Sequence, residues 1–264
     1  ENFRRINKYK ITLGGGFEEA KYNTFTFDTR VPPGQQALDY SSDLRIYKYS
    51  AFGQASRSYF NERLVATVGL RMDGNSFNDE MSNPLSQLSP KIALSYNITP
   101  ELSFNTSYSI YYQLPPYTTM GFRDQNGDLS NNDLTYIETS HYVAGFAYYL
   151  PWNAKITLEG FYKDYNNYPF LLRDSLALAN LGGDFGVIGN QEAKSIAQGR
   201  AYGLEFLYQQ KLFKGFFGTL AYTYVRSEFQ DADGVYIPSS WDNQHILTIT
   251  TGKKLGKNWE IGAQ

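Results

Sequence analysis

The stretch LSFNTSYSIYY, which runs from Leu102 to Tyr112, decides the fold because its residues alternate between two kinds of side chain. One parity is apolar or aromatic and the other is small and polar: Leu102, Phe104, Tyr108 and Ile110 against Ser103, Asn105, Ser107 and Ser109. Successive side chains of a β-strand point to opposite faces, so this alternation predicts a strand with one apolar face and one polar face.

The same alternation recurs along most of the chain and predicts about eleven strands. Their predicted ranges are Tyr9–Phe17, Leu44–Phe60, Leu64–Gly74, Ser89–Ile98, Leu102–Gln113, Glu138–Leu150, Ala154–Asn166, Arg200–Gln210, Phe216–Phe229, Gln244–Lys253 and Trp259–Gln264.

The connections decide between a membrane barrel and a soluble sandwich, since alternation fits both. Short links alternate strictly with long polar segments along the chain. The long segments are residues 18–43, 75–87, 113–134, 168–199 and 230–242. In an up-and-down antiparallel sheet this places every tight turn at one end and every long loop at the other, as in outer-membrane barrels. Aromatic residues make up 17% of the chain and gather near the strand ends, which predicts two girdles. The predicted fold is all-β, an antiparallel up-and-down transmembrane β-barrel.

The composition excludes several function classes. The 24 Lys and Arg residues nearly balance 26 Asp and Glu, so no general attraction to nucleic acid is expected. The chain has no cysteine and only two histidines, and it lacks the common catalytic motifs, so we predict no catalytic residues, no metal site and no cofactor. The stretch from Asp124 to Asp128 alternates oxygen ligands as a calcium loop does, but Thr135 stands where such a loop needs Glu.

Four stretches make the chain resemble the C-terminal half of the barrel of TonB-dependent outer-membrane receptors. They are Leu88–Leu94 with Ser-Pro-Lys, Tyr108–Pro116 with Tyr-Ser before a Pro-containing loop, Gly199–Glu205 with Gly-x-Glu, and Trp241–His245 with Asp-x-x-His. The resemblance implies a barrel of about 22 strands, of which residues 1–264 form a C-terminal portion without the plug and the final strands.

Function, location and partners follow from the resemblance rather than from the periodicity. It implies uptake of a scarce nutrient, namely a siderophore, vitamin, glycan or peptide, across the outer membrane of a Gram-negative bacterium. Energy would come through TonB, which would contact an N-terminal part absent from these residues. Outer-membrane lipid surrounds such a barrel, and a surface lipoprotein partner is compatible with the resemblance.

Candidate site residues fall into two sets. The resemblance implies that surface loops capture the ligand, and the loop candidates are Tyr117, Arg123, Asp124, Asp128, Tyr168 and Arg173. The polar parity of the strands supplies residues expected to face the lumen, which are Arg71, Lys91, Lys155, Glu159, Lys163 and Glu205.

Two other functions stay open from the sequence. One is a passive porin or structural barrel without a plug. The other is a soluble β-rich binding module, in which the apolar side of Leu158 and Phe104 is buried under a second layer of protein.

Overall fold

A computed structural model describes residues 2–6, 8–29, 37–181, 189–256 and 258–264 of the chain. The strands are β1 (Asn2–Ile6), β2 (Tyr9–Asp28), β3 (Leu38–Tyr59), β4 (Leu64–Asn75), β5 (Leu88–Asn97), β6 (Leu102–Gln113), β7 (Ile137–Leu150), β8 (Ala154–Leu171), β9 (Leu176–Ala177), β10 (Ala193–Phe213), β11 (Phe216–Gln230), β12 (Tyr236–Pro238), β13 (Gln244–Leu255) and β14 (Trp259–Ala263). The helical segments are α1 (Asp79–Ser82), α2 (Tyr117–Met120) and a 3₁₀ turn at Leu178–Asn180.

All these strands belong to one antiparallel sheet, in which neighbours in space are neighbours along the chain. The two short strands β9 and β12 leave this path and pair with β8 and β11. Within the described residues the sheet runs from β1 to β14 without closing on itself. Up-and-down antiparallel order is therefore confirmed.

The register gives the sheet one apolar face and one polar face. Leu158 pairs with Phe146 and Phe206, and all three lie on the apolar face. Leu158 and Leu204 each expose about half of their area, at 49% and 54%, so no second layer of the described chain covers this face. The polar face carries Lys91, Lys155, Glu159, Lys163 and Glu205. A soluble sandwich would have buried the apolar face.

Tight turns join the strands at one end of the sheet. The turn between β3 and β4 contains Asn61 with φ 53°, that between β7 and β8 contains Asn153 with φ 60°, and that between β10 and β11 contains Gly215 with φ 84°. Asn and Gly tolerate this left-handed backbone better than other residues, which allows connections of only two to four residues. We call this the short-turn end, and the opposite edge the long-loop end.

The hairpin of β2 and β3 is longer than the sequence predicted. Strands were expected at Tyr9–Phe17 and Leu44–Phe60, with a polar loop from residue 18 to 43, but continuous pairing runs from Tyr9 with Arg57 to Asp28 with Leu38. The prediction was wrong here because alternation continues on one face only. Tyr40, Ser42 and Leu44 are buried on one face, while Asp39, Ser41 and Asp43 on the other face are polar and exposed.

Other strand bounds differ for the same reason. Strand β8 extends to Leu171 instead of Asn166, and β10 begins at Ala193 instead of Arg200. The short strands β1, β9 and β12 were not predicted, since strands of two to five residues carry too little periodicity to be seen.

Aromatic side chains form a row on the apolar face. Tyr108, Tyr142, Tyr162 and Tyr202 lie side by side on four paired strands, with ring centroids 4.9, 6.3 and 6.4 Å apart. We call this the tyrosine row. Tyr111, by contrast, lies on the polar face, where its ring centroid is 4.7 Å from that of His141.

Candidate functional site

The long connections fold on one another at the long-loop end. We call residues 76–87, 114–136, 172–181 and 189–192 the loop cap. Its apolar residues join strand residues in a single buried cluster of Leu44, Ile46, Met81, Met120, Leu134, Tyr136, Leu171 and Ala193. Burial of a side chain of this kind stabilises by about 1.5–3 kcal/mol, so the loop cap has a hydrophobic core of its own.

Asn131 links two parts of the chain, its own connection of residues 114–136 and the segment from Gln191 to Ala193. Its side chain is 1% exposed, and its amide nitrogen donates to the carbonyl oxygens of Thr119 at 2.8 Å and Gln191 at 3.2 Å. Its amide oxygen accepts from the backbone nitrogen of Ala193 at 2.8 Å. The side chain therefore replaces the backbone pairing that these irregular segments lack.

Two further asparagines fix the loop after β4. Asn78 caps α1 by accepting from the backbone nitrogen of Met81 at 2.8 Å, and it donates to the carbonyl of Leu134, also at 2.8 Å. Asn75 is fully buried and donates to the hydroxyl of Tyr136 at 2.8 Å. Burial raises the pKa of the Tyr136 phenol, and the hydrogen bond from Asn75 opposes this only in part.

A first cavity of about 480 Å³ lies where the loop cap meets the polar face of β2, β3 and β4. We call it the Lys48 cavity. The ammonium of Lys48 pairs with Glu18 at 2.6 Å, and the guanidinium of Arg71 binds Asp73 through two hydrogen bonds of 2.6 and 2.7 Å. The ring of Tyr117, at the start of α2, also lines it. Two predicted site residues, Arg71 and Tyr117, thus share one cavity.

A second cavity of about 440 Å³ lies within the loop cap, and we call it the Arg173 cleft. Arg173 and Asp124, both predicted from the sequence, line it together. Gln191 is 6% exposed and holds this wall in place, because its amide oxygen accepts from the backbone nitrogen of Arg173 at 3.1 Å and its amide nitrogen donates to Asp174 at 2.6 Å. Further lining residues are Leu38, Phe122, Gln125, Asn126, Leu172, Asn190 and Glu192.

Asp124 also shapes its own loop. One carboxylate oxygen accepts from the backbone nitrogens of Asn126 and Asp128, each at 2.9 Å. Arg123 donates to the carbonyl of Gly127 at 2.8 Å and closes the same turn. The alternating oxygens that resemble a calcium loop are therefore part of a side-chain-stabilised turn.

The remaining loop candidates lie outside both cavities. Asp128 is exposed at the tip of its turn. Tyr168 was predicted in a loop but belongs to β8, and its ring packs on that of Phe229 with centroids 4.6 Å apart.

The remaining charged residues that were predicted from the sequence lie on the polar face. Glu159 and Glu205 stand directly opposite each other on β8 and β10. Lys163 lies opposite His141 and places its ammonium 5.4 Å from the ring of Phe161. Two more predicted residues occupy this face: Lys91 opposite Ser109, and Lys155 with its ammonium 5.6 Å from the ring of Tyr149.

The site combines cations, carboxylates, amides and phenols around two cavities, which suits a polar ligand held by hydrogen bonds. Sequence reasoning missed Lys48, Asn131 and Gln191. The sequence could have predicted Lys48, because this residue has the same parity as Leu44 and Ile46, which places its side chain on the polar face. No local pattern distinguishes Asn131 or Gln191 from exposed amides.

Comparison with known proteins gives one family and several related structures. A family model described as "TonB dependent receptor-like, beta-barrel" matches residues 3–262. The sequence matches no protein of curated function.

Three solved structures illustrate the likeness. The ferric-catecholate import receptor Fiu from E. coli K12 is 11% identical with a TM-score of 0.68, and the match covers 98% of this chain and 42% of that one. The ferripyoverdine receptor of the outer membrane of Pseudomonas aeruginosa is 14% identical with a TM-score of 0.63, covering 99% and 36%. The copper transporter OprC is 15% identical with a TM-score of 0.66, covering 98% and 40%. At this identity the likeness establishes the fold, and the chain spans about 36–42% of the length of these proteins.

Proposed function

Because the chain belongs to the TonB-dependent receptor β-barrel family, we propose that it forms part of the wall of an outer-membrane receptor that imports a scarce nutrient with energy passed through TonB. Barrels of this family are outer-membrane proteins of Gram-negative bacteria. In this proposal residues 1–264 supply the wall, and the plug and the TonB contact belong to other parts of the full-length protein.

The two faces support the placement in a membrane. The apolar face, with Leu158 and Leu204 half exposed, faces hydrocarbon, and the polar face lines the lumen. The short-turn end then faces the periplasm and the long-loop end faces the outside of the cell.

The shared core of the loop cap is the observation that carries the capture function. It packs long connections against one another, and its Tyr136 lines the Lys48 cavity. Leu38 and Phe122, which belong to a second small buried cluster, line the Arg173 cleft. Preorganised polar cavities bind a ligand with a smaller entropy cost than mobile loops do. We propose a siderophore, vitamin, glycan or peptide as the cargo, with Lys48, Arg71, Tyr117, Asp124 and Arg173 contacting it.

The experiment is a growth and uptake assay with the full-length gene. A strain without the gene is complemented with wild type, and uptake of labelled candidate nutrients is compared with and without TonB. We expect uptake of one cargo class that requires both the gene and TonB. Uptake that persists without TonB would favour the passive-porin alternative and refute the coupling.

Binding variants locate the capture site. Arg173→Gln and Lys48→Gln remove charge-assisted hydrogen bonds, each worth about 1.5–3 kcal/mol, so we expect cargo Kd to rise about tenfold or more. Lys21→Gln is the matched control, because Lys21 pairs with Glu19 on an exposed part of β2. Equal Kd values in all three variants would place the ligand elsewhere.

A further inference from the structure

Cations at the short-turn end rest on aromatic rings of the apolar face. The guanidinium of Arg57 lies 4.9 Å from the ring centroid of Tyr9 and 4.8 Å from that of Tyr59, and it donates to the Tyr9 hydroxyl at 2.7 Å. All three residues share the apolar parity of β2 and β3. A charged group on this face can reach only the membrane boundary or lipid headgroups.

The same arrangement recurs along the short-turn end. The cation-to-ring distances are 5.8 Å for Arg63 over Tyr96, 5.4 Å for Lys214 over Phe213 and 4.5 Å for Lys253 over Phe216. We call Arg57, Arg63, Lys214 and Lys253 the rim cations. They come from the turns β3–β4 and β10–β11 and from the adjacent ends of β3 and β13.

Carboxylates distinguish the two ends of the sheet. At the long-loop end, outward cations are neutralised in ion pairs, as Arg200 is by Glu228 at 2.8 Å and Arg226 by Asp242 at 3.2 Å. Throughout the described part of the chain, no ion pair includes a rim cation.

The acidic residues at the short-turn end are few. Glu101 accepts a hydrogen bond from the Thr99 hydroxyl at 3.0 Å, and Glu62 lies within the β3–β4 turn. Lys8 and Lys211 are additional exposed cations in the same set of turns. With Glu260, which stands opposite Lys254, the short-turn end has few carboxylates among the described residues, and no ion pair there neutralises a rim cation.

We propose that the rim cations bind the phosphate groups of anionic phospholipids in the periplasmic leaflet. The inference rests on the proposed function for the orientation of the sheet in the membrane. Aromatic rings anchor at the boundary between hydrocarbon and headgroups, so each ring holds its cation at the depth of the lipid phosphates. A net anionic headgroup supplies the counter-charge that the protein lacks, and this contribution falls off with salt.

Native mass spectrometry of the full-length receptor tests the proposal. Protein in a neutral detergent is mixed with equal amounts of phosphatidylglycerol and phosphatidylcholine of the same chain length, and the retained lipids are counted. We expect wild type to retain phosphatidylglycerol in preference. Lys214→Gln with Lys253→Gln should lower this preference by about fivefold for each cation removed.

Controls separate charge from structure. Lys21→Gln with Arg45→Gln removes two cations that pair with Glu19 near the long-loop end, and it should leave the preference unchanged. Lys214→Arg with Lys253→Arg should keep it. Salt provides a further control. Thermal stabilisation of wild type by phosphatidylglycerol vesicles should be lost in 1 M salt, where the Debye length is about 3 Å, and kept in 0.15 M salt, where it is about 8 Å.

Two outcomes would overturn the proposal: equal retention of both lipids by wild type, or an equal loss in the rim and control variants. Nutrient uptake by the same strains is read separately. Failure of the lipid preference with normal uptake would refute the lipid site alone, whereas loss of uptake by wild type would refute the proposed function.

Discussion

Replacement of Asn131 by leucine should release the loop cap while leaving the barrel wall intact. The change keeps the size of the side chain but removes the bonds to Thr119, Gln191 and Ala193, which measure 2.8, 3.2 and 2.8 Å. Each buried backbone group left without a partner costs about 1–3 kcal/mol, so the three together should cost about 3–9 kcal/mol.

Amide hydrogen exchange of the full-length receptor measures this directly. Because 1.36 kcal/mol corresponds to a factor of ten, peptides covering residues 114–136 and 189–193 should lose protection by about 100-fold or more. Peptides within β5 and β6 should keep their protection, since their backbone bonds run between strands.

Asn126→Leu is the matched control, because Asn126 is exposed in the same connection and its side chain only reaches Asp124 at 3.5 Å. It should change exchange less than tenfold. A loss of protection below tenfold for Asn131→Leu, or equal losses in the two variants, would refute the role given to Asn131.

Two further predictions concern the wall and the Arg173 cleft. Leu158→Arg should lower the free energy of unfolding of the full-length barrel in vesicles by about 2–4 kcal/mol, as measured by urea unfolding. Thr157→Arg, on the polar face, should lower it by less than about 1 kcal/mol. Equal losses in the two variants would contradict the assignment of faces. Gly189→Ala should weaken cargo binding about tenfold or more in a titration, because Gly189 has φ 65° and an added Cβ would lie 2.0 Å from the carbonyl oxygen of Thr118. Gly234→Ala is its control, with φ 75° but no atom within 4 Å, and similar binding by both variants would show that the close approach does not matter.

The wall was predictable from the sequence because each of its faces meets a different environment. Leu102–Gln113 was predicted and found with the same bounds, and Leu64–Gly74 ended one residue early. Where the outward face of a strand is exposed to water, as a loop is, the alternation of apolar and polar residues weakens. In β3 the residues of the other face, Asp39, Ser41 and Asp43, are exposed and polar, so the apolar half of the outward pattern is missing there.

The site was predictable in residue type but not in grouping. Tyr, Arg and Asp in long loops indicated a polar site, and Asp124 does meet Arg173 at one cleft. Their meeting depends on Asn131, whose bonds to Gln191 and Ala193 cross 60 and 62 residues of chain, and on Gln191, whose side chain bonds to Arg173 and Asp174 across 18 and 17 residues. Sequence periodicity carries no information at these separations. Tyr168 resembled a loop tyrosine but packs beside Phe229, because β8 continues beyond the part with alternating faces.

The hydrophobic core shared by the surface connections limits how this part of the molecule can be engineered or diversified. An epitope tag inserted beside Met120 or Leu134 would separate apolar contacts among several connections at once. Gly127 and Gly234 lie at turn tips with no atom within 4 Å of an added Cβ, so insertions there should leave the fold of the long connections unchanged. If the long-loop end faces outward, antibodies raised against intact cells should recognise these two tips. Substitutions should also be tolerated at these tips more readily than in the core of the loop cap.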